Sequence, residues 1–210
     1  MAVLFLILIA LISYFLGGIN GAIITSKYLF RKDVRDFGSG NAGLTNFYRS
    51  FGVKGVVLVL AMDIVKSVAA LLLGRALMGL VGYPTVGKLF AGFCLMLGHL
   101  YPAFYEFRGG KGALCAIVVA LMVDWRIGLI CLLVFAITVI FTQYVSLGSI
   151  IGAACFPFGL WAFGYTGLEI WLGLFCTLAL ILKHHSNIGR IISGTESKLP
   201  MGGTSHGSNL

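Results

Sequence analysis

The residues of this sequence that could do chemistry lie in three short polar stretches between apolar runs. One of them, the second stretch in chain order, is GHLYPAFYEFRGGKG at 98–112, where two glycines precede Lys111. Consecutive glycines let successive backbone N–H groups turn toward one point, and the lysine adds a positive charge. This pattern is typical of an oxyanion or phosphate site, although a flexible turn with a lysine at a membrane interface would have the same sequence pattern. The candidate anion-binding residues here are Gly109, Gly110 and Lys111.

The first stretch in chain order, RDFGSGNAGLTNFYR at 35–49, concentrates hydroxyl and amide groups and ends in Arg49. The planar guanidinium of an arginine can bind an anion through two hydrogen bonds. If a short helix begins near Asn41, its N-terminus would offer unpaired N–H groups, and Thr45 and Arg49 would share one helix face. An ordinary polar loop with a helix cap is the alternative. The candidates in this stretch are Ser39, Asn41, Thr45, Asn46 and Arg49.

The third stretch, KHHSNIGRIISGTESK at 183–198, is again rich in hydrogen-bond donors and poor in carboxylates. Its candidates are His184, Asn187 and Arg190. The same residues could instead be a basic flank of a membrane helix, which is typical of a cytoplasmic boundary. Ser149 is a weaker candidate, because it lies in the first turn of an apolar span.

Composition places these stretches in a membrane protein. The 210 residues are 59% hydrophobic and 10% charged, far from the values of a soluble domain. We therefore predict an all-α integral membrane protein with one domain at residues 1–198. Residues 199–210 are predicted to be a disordered tail or an expression remnant. The net charge of +8 could suit a nucleic-acid partner, but no soluble domain carries it, so none is expected.

Seven transmembrane helices are predicted from the apolar runs. The run from 113 to 141 is interrupted at Asp124-Trp125-Arg126, so it is either one long span or two short spans with a tight turn. Two spans would bring the three polar stretches to one face, and we choose that arrangement. The predicted spans cover residues 1–24, 52–80, 86–104, 113–123, 127–141, 147–163 and 167–182.

The distribution of basic residues predicts the orientation. Lys27, Arg31, Lys32 and Arg35 follow the first span, which puts that end in the cytoplasm and the N-terminus outside. The C-terminus and all three polar stretches then face the cytoplasm. Within the second span, Asp63 and Lys66 at i, i+3 can neutralise each other, and their role, functional or structural, stays open.

A site with several cations and few acids suits a substrate that carries two or more negative groups, such as phosphates. Its position would also let a lipid chain enter sideways from the bilayer. A transporter for a phosphorylated or anionic solute is the alternative function, since glycine-rich loops and cations could line a pathway. No metal or cofactor is predicted.

The three stretches resemble the cytoplasmic motifs of the bacterial acyl-phosphate:glycerol-3-phosphate acyltransferase family, PlsY. The matching residues are SGNAGLTNFYR at 39–49, GHLYPAFYEFRGGKG at 98–112, and HHSNIGR with the following GTESK at 184–198. The resemblance implies a bacterial inner-membrane enzyme of phospholipid biosynthesis with acyl phosphate, glycerol 3-phosphate and membrane lipid as its partners. The enzyme would acylate the 1-hydroxyl of glycerol 3-phosphate and release lysophosphatidic acid and phosphate.

The resemblance also implies residue roles. Ser39, Arg49, Lys111 and His184 would serve glycerol 3-phosphate and the reacting centre, and the acyl phosphate would be held by Asn41, Thr45, Gly109, Gly110 and Asn187. Asn46, Ser149 and Arg190 complete the predicted binding residues. A His-x4-Asp dyad, known from other glycerol acyltransferases, is absent, because Phe104 follows His99 and Gly189 follows His184 at that spacing. A substrate phosphate is therefore expected to accept the hydroxyl proton. Acyl-chain preference and oligomeric state stay open.

Overall fold

The structure, a computed structural model, describes residues 1–199 and is all-helical over that range. The predicted all-α architecture is confirmed, and the predicted tail lies outside the described residues apart from Leu199. Short 3₁₀ turns occur at Val34–Asp36 and Ala103–Tyr105. The α-helices are α1 (Ala2–Gly18), α2 (Gly21–Phe30), α3 (Leu44–Phe51), α4 (Val56–Gly79), α5 (Pro84–Leu100), α6 (Ala113–Val123), α7 (Trp125–Thr142), α8 (Val145–Ala162), α9 (Leu168–Lys183) and α10 (His185–Ile192).

Within residues 1–199, five helices are long and apolar enough to cross a membrane. They are α1 continued by α2, then α4, α5, α7 and α8. Helices α9 and α10 meet at a 57° bend and would add a sixth span if they are taken together. Helix α6 has only 11 residues, which cover roughly 16 Å of a hydrocarbon core about 30 Å thick. Five or six of the seven predicted spans are therefore supported, and the span at α6 stays a prediction.

Helix α5 lies at the centre of the bundle, where it packs against α1, α4, α6 and α9. Small residues make the closest of these contacts possible. Gly74 of α4 faces Gly87 of α5, and a Cβ on either residue would overlap the carbonyl oxygen of the other. Such close backbone approach is how helices associate in lipid, where burial of apolar side chains gives little driving force. The packing fixes the C-terminal end of α5, from which the second polar stretch continues.

The tight turn predicted near residue 124 is confirmed. Asp124 ends α6 and caps α7, and its carboxylate accepts a hydrogen bond of 2.9 Å from the backbone N–H of Arg126. Helix α7 then packs back against α6, with Gly128 directly against Leu121. Lys88 of α5 donates to the carbonyl oxygens of Met122 and Val123 at 2.8 and 3.0 Å, which satisfies the end of α6.

The predicted pairing of Asp63 with Lys66 is also confirmed, at 2.7 Å between Oδ1 and Nζ, with both side chains buried. Lys66 Nζ additionally donates to the carbonyl oxygens of Gly17 and Ile19, at 3.1 and 2.7 Å. These carbonyls lie at the break between α1 and α2, where helical hydrogen bonds are lost. The sequence indicated one continuous first span at 1–24, and the structure divides it at this break.

Candidate active site

All three polar stretches meet at the mouth of one cavity of about 340 Å³, the deep cavity, a size that suits a small-molecule ligand. Its inner wall is apolar and comes from α6 to α9, with side chains such as Val119, Phe135 and Phe156. The predicted site residues on its wall are Ser39, Asn41, Thr45, Asn46, Arg49, Lys111, Ser149, His184, Asn187 and Arg190.

A second depression of about 310 Å³, the polar recess, lies beside the deep cavity. Gly109, Tyr101, Lys183, His185 and Ser186 contribute to its wall. The residues that line both spaces are Ser39, Asn41, Lys111 and Arg190. The cations Lys111 and Arg190 therefore stand between an apolar-walled space and a polar one.

The loop of the first stretch is organised by the buried side chain of Asn46. Its Oδ1 accepts from the N–H of Ser39 at 2.9 Å, and its Nδ2 lies 3.0 to 3.1 Å from the carbonyl oxygens of Val34, Phe37 and Asn41. The amide is thus occupied by the loop itself. Helix α3 begins at Leu44, three residues later than the suggested start at Asn41, and it carries Thr45 and Arg49 on one face.

A residue that sequence reasoning missed supports the same loop from α2. Asn20 caps that helix by accepting from the N–H of Ile23, and it donates to the carbonyl oxygen of Ala42 at 3.0 Å. It is fully buried. The available signal was a lone amide side chain inside the apolar first run of the sequence.

The two glycines before Lys111 let the second stretch fold back on the end of α5. The N–H of Gly110 donates to the carbonyl oxygen of His99 at 3.1 Å, and a Cβ on Gly109 would overlap that same oxygen. One of the two predicted anion-binding N–H groups is therefore bonded within the protein. The turn carries Lys111 into the site, where its Nζ donates to Asn187 Oδ1.

The third stretch closes around Glu196, a second residue that sequence reasoning missed. Ser146 Oγ and Asn187 Nδ2 each donate to its Oε1 at 2.6 Å, and Arg190 Nε donates to its Oε2 at 2.7 Å. Burial alone would raise the pKa of Glu196, but these hydrogen bonds outweigh burial and lower it. The signal in the sequence was a single carboxylate in a donor-rich segment.

Arg49 joins the first stretch to the third. Its guanidinium donates to the backbone carbonyl oxygens of Ser197 and Lys198, at 3.0 and 3.3 Å. The side chain is otherwise exposed at the mouth of the deep cavity. These contacts hold the segment after α10 across the opening of the site.

The charge of Lys111 is sensitive to its surroundings. Burial, together with the nearby positive charge of Arg190, lowers the pKa of Lys111 to about 8. Lys111 is consequently protonated at neutral pH but close enough to its pKa to titrate in mildly alkaline solution.

His184 is buried at the bend between α9 and α10. Its Nδ1 lies 2.9 Å from the carbonyl oxygen of Leu180, so the neutral ring carries its proton on Nδ1 and leaves Nε2 as an acceptor. Ser149 also lines the deep cavity, but its hydroxyl donates to the carbonyl oxygen of Val145 at 2.9 Å.

Comparison with known proteins gives the same family as the three motifs. A family model described as glycerol-3-phosphate acyltransferase matches residues 7–194. The glycerol-3-phosphate acyltransferase of Thermoanaerobacter pseudethanolicus is 41% identical over 197 residues, covering 93% of this chain and 96% of that protein. The enzyme of the same description from Clostridioides difficile is 39% identical over 198 residues, covering 92% and 95%.

Solved structures agree with the sequence relatives. The glycerol 3-phosphate form of PlsY, an integral membrane glycerol 3-phosphate acyltransferase, superposes with a TM-score of 0.82 at 31% identity. The match covers 92% of this chain and 95% of that one. The lysophosphatidic acid form of PlsY gives a TM-score of 0.81 at 29% identity. The chain therefore belongs to the glycerol-3-phosphate acyltransferase family that includes PlsY.

Proposed function

We propose that this protein transfers a fatty acyl group from an acyl phosphate to the 1-hydroxyl of glycerol 3-phosphate, giving lysophosphatidic acid and phosphate. One observation carries the proposal: a cation-lined polar recess and an apolar-walled cavity meet at Lys111. A reaction between a small anion and an acylated anion needs such a pair of spaces. The relatives described as glycerol-3-phosphate acyltransferases support the acceptor.

The two spaces suit different reactants. The polar recess has three cations on its wall, Lys111, Lys183 and Arg190, which match the phosphate of glycerol 3-phosphate. The deep cavity would hold the phosphate of the acyl phosphate at its mouth, near Asn41, Thr45 and Asn187, and the acyl chain between α6 and α9. The two reacting groups would then meet beside Lys111, which lines both spaces.

The reaction would proceed by attack of the 1-hydroxyl oxygen on the acyl carbonyl carbon. The new ester C–O bond forms, the bond between the acyl carbon and the phosphate oxygen breaks, and phosphate leaves with that electron pair. Lys111 and Arg49 would stabilise the developing negative charge, and Ser39 and His184 would orient the reactants. The hydroxyl proton would pass to a substrate phosphate oxygen. His184 supports this assignment, because its Nδ1 contacts a backbone carbonyl rather than a carboxylate that would strengthen it as a base.

For the membrane arrangement, we propose seven spans with α6 as a short one, the N-terminus outside, and the C-terminus and active site facing the cytoplasm of a bacterial cell. The hairpin of α6 and α7 supports this topology, because it returns the chain to the side on which Lys111 lies. The excess of lysine and arginine on that side also supports it.

The direct test uses purified protein with radiolabelled glycerol 3-phosphate and a synthetic acyl phosphate. We expect labelled lysophosphatidic acid and an equal amount of released phosphate. If acyl-CoA alone supports the reaction, the donor assignment is wrong. If no product forms but the protein in liposomes carries labelled glycerol 3-phosphate across the membrane, a transporter replaces the enzyme.

A further inference from the structure

His99, in the last turn of α5, has a buried side chain that nevertheless lines the deep cavity. Its Nδ1 lies 2.9 Å from Lys66 Nζ. The same ammonium group contacts Asp63 Oδ1 at 2.7 Å and the carbonyl oxygens of Gly17 and Ile19. The histidine is thus linked on one side to a buried ion pair and on the other to the candidate active site.

The contact with Lys66 fixes the proton of the imidazole ring. Lys66 is paired with a carboxylate at 2.7 Å, so it is positively charged, and an ammonium group can only donate hydrogen bonds. His99 Nδ1 must then accept, which places the proton of the neutral ring on Nε2. The residue therefore presents an N–H donor on the side of the ring away from Lys66.

Gly110 packs directly against that donor. A Cβ at position 110 would overlap His99 Nε2 and would lie 2.7 Å from the carbonyl oxygen of Ala42. No hydrogen bond within residues 1–199 involves Nε2, and this atom is not one of the fully buried side-chain atoms without a partner, so it keeps accessible surface. His99 and Lys111, the cation that follows Gly110, both line the deep cavity.

We propose that His99 is a further substrate-binding residue, whose Nε2–H donates a hydrogen bond to a phosphoryl oxygen of the acyl phosphate. Asp63 and Lys66 are positioning residues that hold the ring in the required tautomer. This assignment rests on the proposed function. It gives the ion pair inside the membrane a role, and it explains why a residue without a side chain lies against Nε2 at position 110.

The test compares two variants that each keep one half of the ring's hydrogen bonding. His99→Gln places an amide N–H near the position of Nε2, whereas His99→Asn keeps an acceptor for Lys66 but removes the donor. We expect His99→Asn to lower kcat/KM for acyl phosphate by roughly 10- to 100-fold, the effect of losing one hydrogen bond to a charged acceptor. KM for glycerol 3-phosphate should stay near the wild-type value, and His99→Gln should recover most of the loss.

A purely structural role would give the opposite ranking, because His99→Asn preserves the contact with Lys66. Wild-type activity in His99→Asn, or equal losses in the two variants at unchanged thermal stability, would overturn the assignment. If His99→Asn does not fold, Gly110→Ala, whose added methyl group would overlap Nε2, must give the same selective loss with acyl phosphate.

A second measurement separates this inference from the proposed function. Ring-¹⁵N NMR of histidine-labelled wild-type protein should show His99 protonated on Nε2, with that signal shifting when a non-hydrolysable acyl phosphonate is added. A proton on Nδ1, or an Nε2 signal that does not move, would reject the role of His99 even if lysophosphatidic acid is made. Failure of wild-type protein to make that product, with the NMR shift present, would reject the reaction but keep the binding residue.

Discussion

Lys111 lines both the deep cavity and the polar recess, and it also donates a hydrogen bond to Asn187 in the third stretch. In the proposed reaction, the positive charge of Lys111 binds the substrate anion and stabilises the developing negative charge. Burial lowers the pKa of Lys111 to about 8, so the free enzyme loses this charge as the pH rises through that value.

We predict that kcat/KM for glycerol 3-phosphate falls above about pH 8, since only the protonated lysine binds the anion strongly. Ionisation of the phosphate of glycerol 3-phosphate does not contribute to this fall, because its second pKa is near 6 and the group is already fully ionised above about pH 8. A bound dianion stabilises the charged lysine, so the corresponding fall in kcat should lie at higher pH.

Lys111→Arg is the matched control for this profile, because arginine stays charged throughout. The variant should retain measurable activity, and its kcat/KM should be flat to about pH 10, the range in which lysine titrates but arginine does not. An alkaline limb that remains at the same pH in Lys111→Arg would assign the titration to another group.

Glu196 is the second residue with a prediction of its own. Its pKa is lower in the folded protein than in the unfolded chain, so its stabilising contribution is present at neutral pH and is lost as the pH falls through the folded value. Glu196→Gln should reduce the free energy of unfolding at neutral pH by about 2 kcal/mol, the usual effect of losing hydrogen bonds to a charged acceptor.

Thermal unfolding in detergent at pH 7 and pH 4 checks this prediction. The difference between wild type and Glu196→Gln should shrink at the lower pH. Glu106→Gln, at an exposed position of the second stretch, is the control and should unfold like wild type at both values. Equal stability of Glu196→Gln and wild type at pH 7 would mean that the carboxylate contributes little.

The residue types of the site could be predicted from the sequence, since cations and amides stand out in apolar surroundings. Their partners could not. Asn46 looked like a binding residue, but its amide is taken up by three carbonyl groups of its own loop. The roles of Glu196 and Asn20 depend on partners that are far away in the sequence. Glu196 accepts a hydrogen bond from Ser146, and Asn20 donates one to the carbonyl oxygen of Ala42. Local patterns do not contain such contacts.

Among the helices, α5 connects the packed centre of the bundle to the candidate active site. It crosses α4 at Gly74 and Gly87, and its far end carries His99 and the loop of Lys111. We predict that Gly74→Ala destabilises the protein by roughly 1 to 3 kcal/mol, because the added methyl group would overlap the Gly87 carbonyl oxygen and push the helices apart.

Gly79→Ala is the matched control in the same helix. Its Cβ would meet nothing closer than Pro84 Cβ at 3.8 Å, and both substitutions gain the same helix propensity from alanine. Thermal unfolding in detergent should therefore separate the pair, with Gly79→Ala at or above the wild-type midpoint. Equal midpoints would show that the α4–α5 crossing tolerates a wider separation.

The sequence predicted the bounds of most helices to within a few residues, because a long apolar segment in a membrane has to satisfy its backbone hydrogen bonds internally, and a helix does so. It did not predict the break between α1 and α2. That break is stabilised by Asn20, which caps α2, and by Lys66, which bonds the free carbonyls from another helix. A tertiary contact thus sets an element boundary that the local apolar pattern hides.

For the molecule as a whole, convergence of the three stretches depends on the hairpin of α6 and α7. The hairpin lets the third stretch return to Lys111 and Arg49, where Asn187 and the carbonyl oxygens of Ser197 and Lys198 bond them. Which apolar runs fold back could be argued from sequence, but the depth of the short α6 in the bilayer could not. A helix of 11 residues either thins the membrane around it or ends within it.

We predict that the turn between α6 and α7 reaches the outer surface, so that Trp125→Cys reacts with a membrane-impermeant maleimide added to intact spheroplasts. Trp125 is 65% exposed, whereas the five native cysteines are buried or half-buried, so wild type should remain unlabelled. Thr166→Cys, in the loop before α9, should label from the same side. Lys54→Cys and Ser193→Cys, both exposed near the site, should label only after the membrane is opened. Labelling of both Trp125→Cys and Thr166→Cys only after opening would remove α6 as a span and leave six, because α7 and α8 together return the chain to the side on which α7 begins. Labelling of Ser193→Cys in intact spheroplasts would place the active site on the wrong side for a cytosolic acceptor.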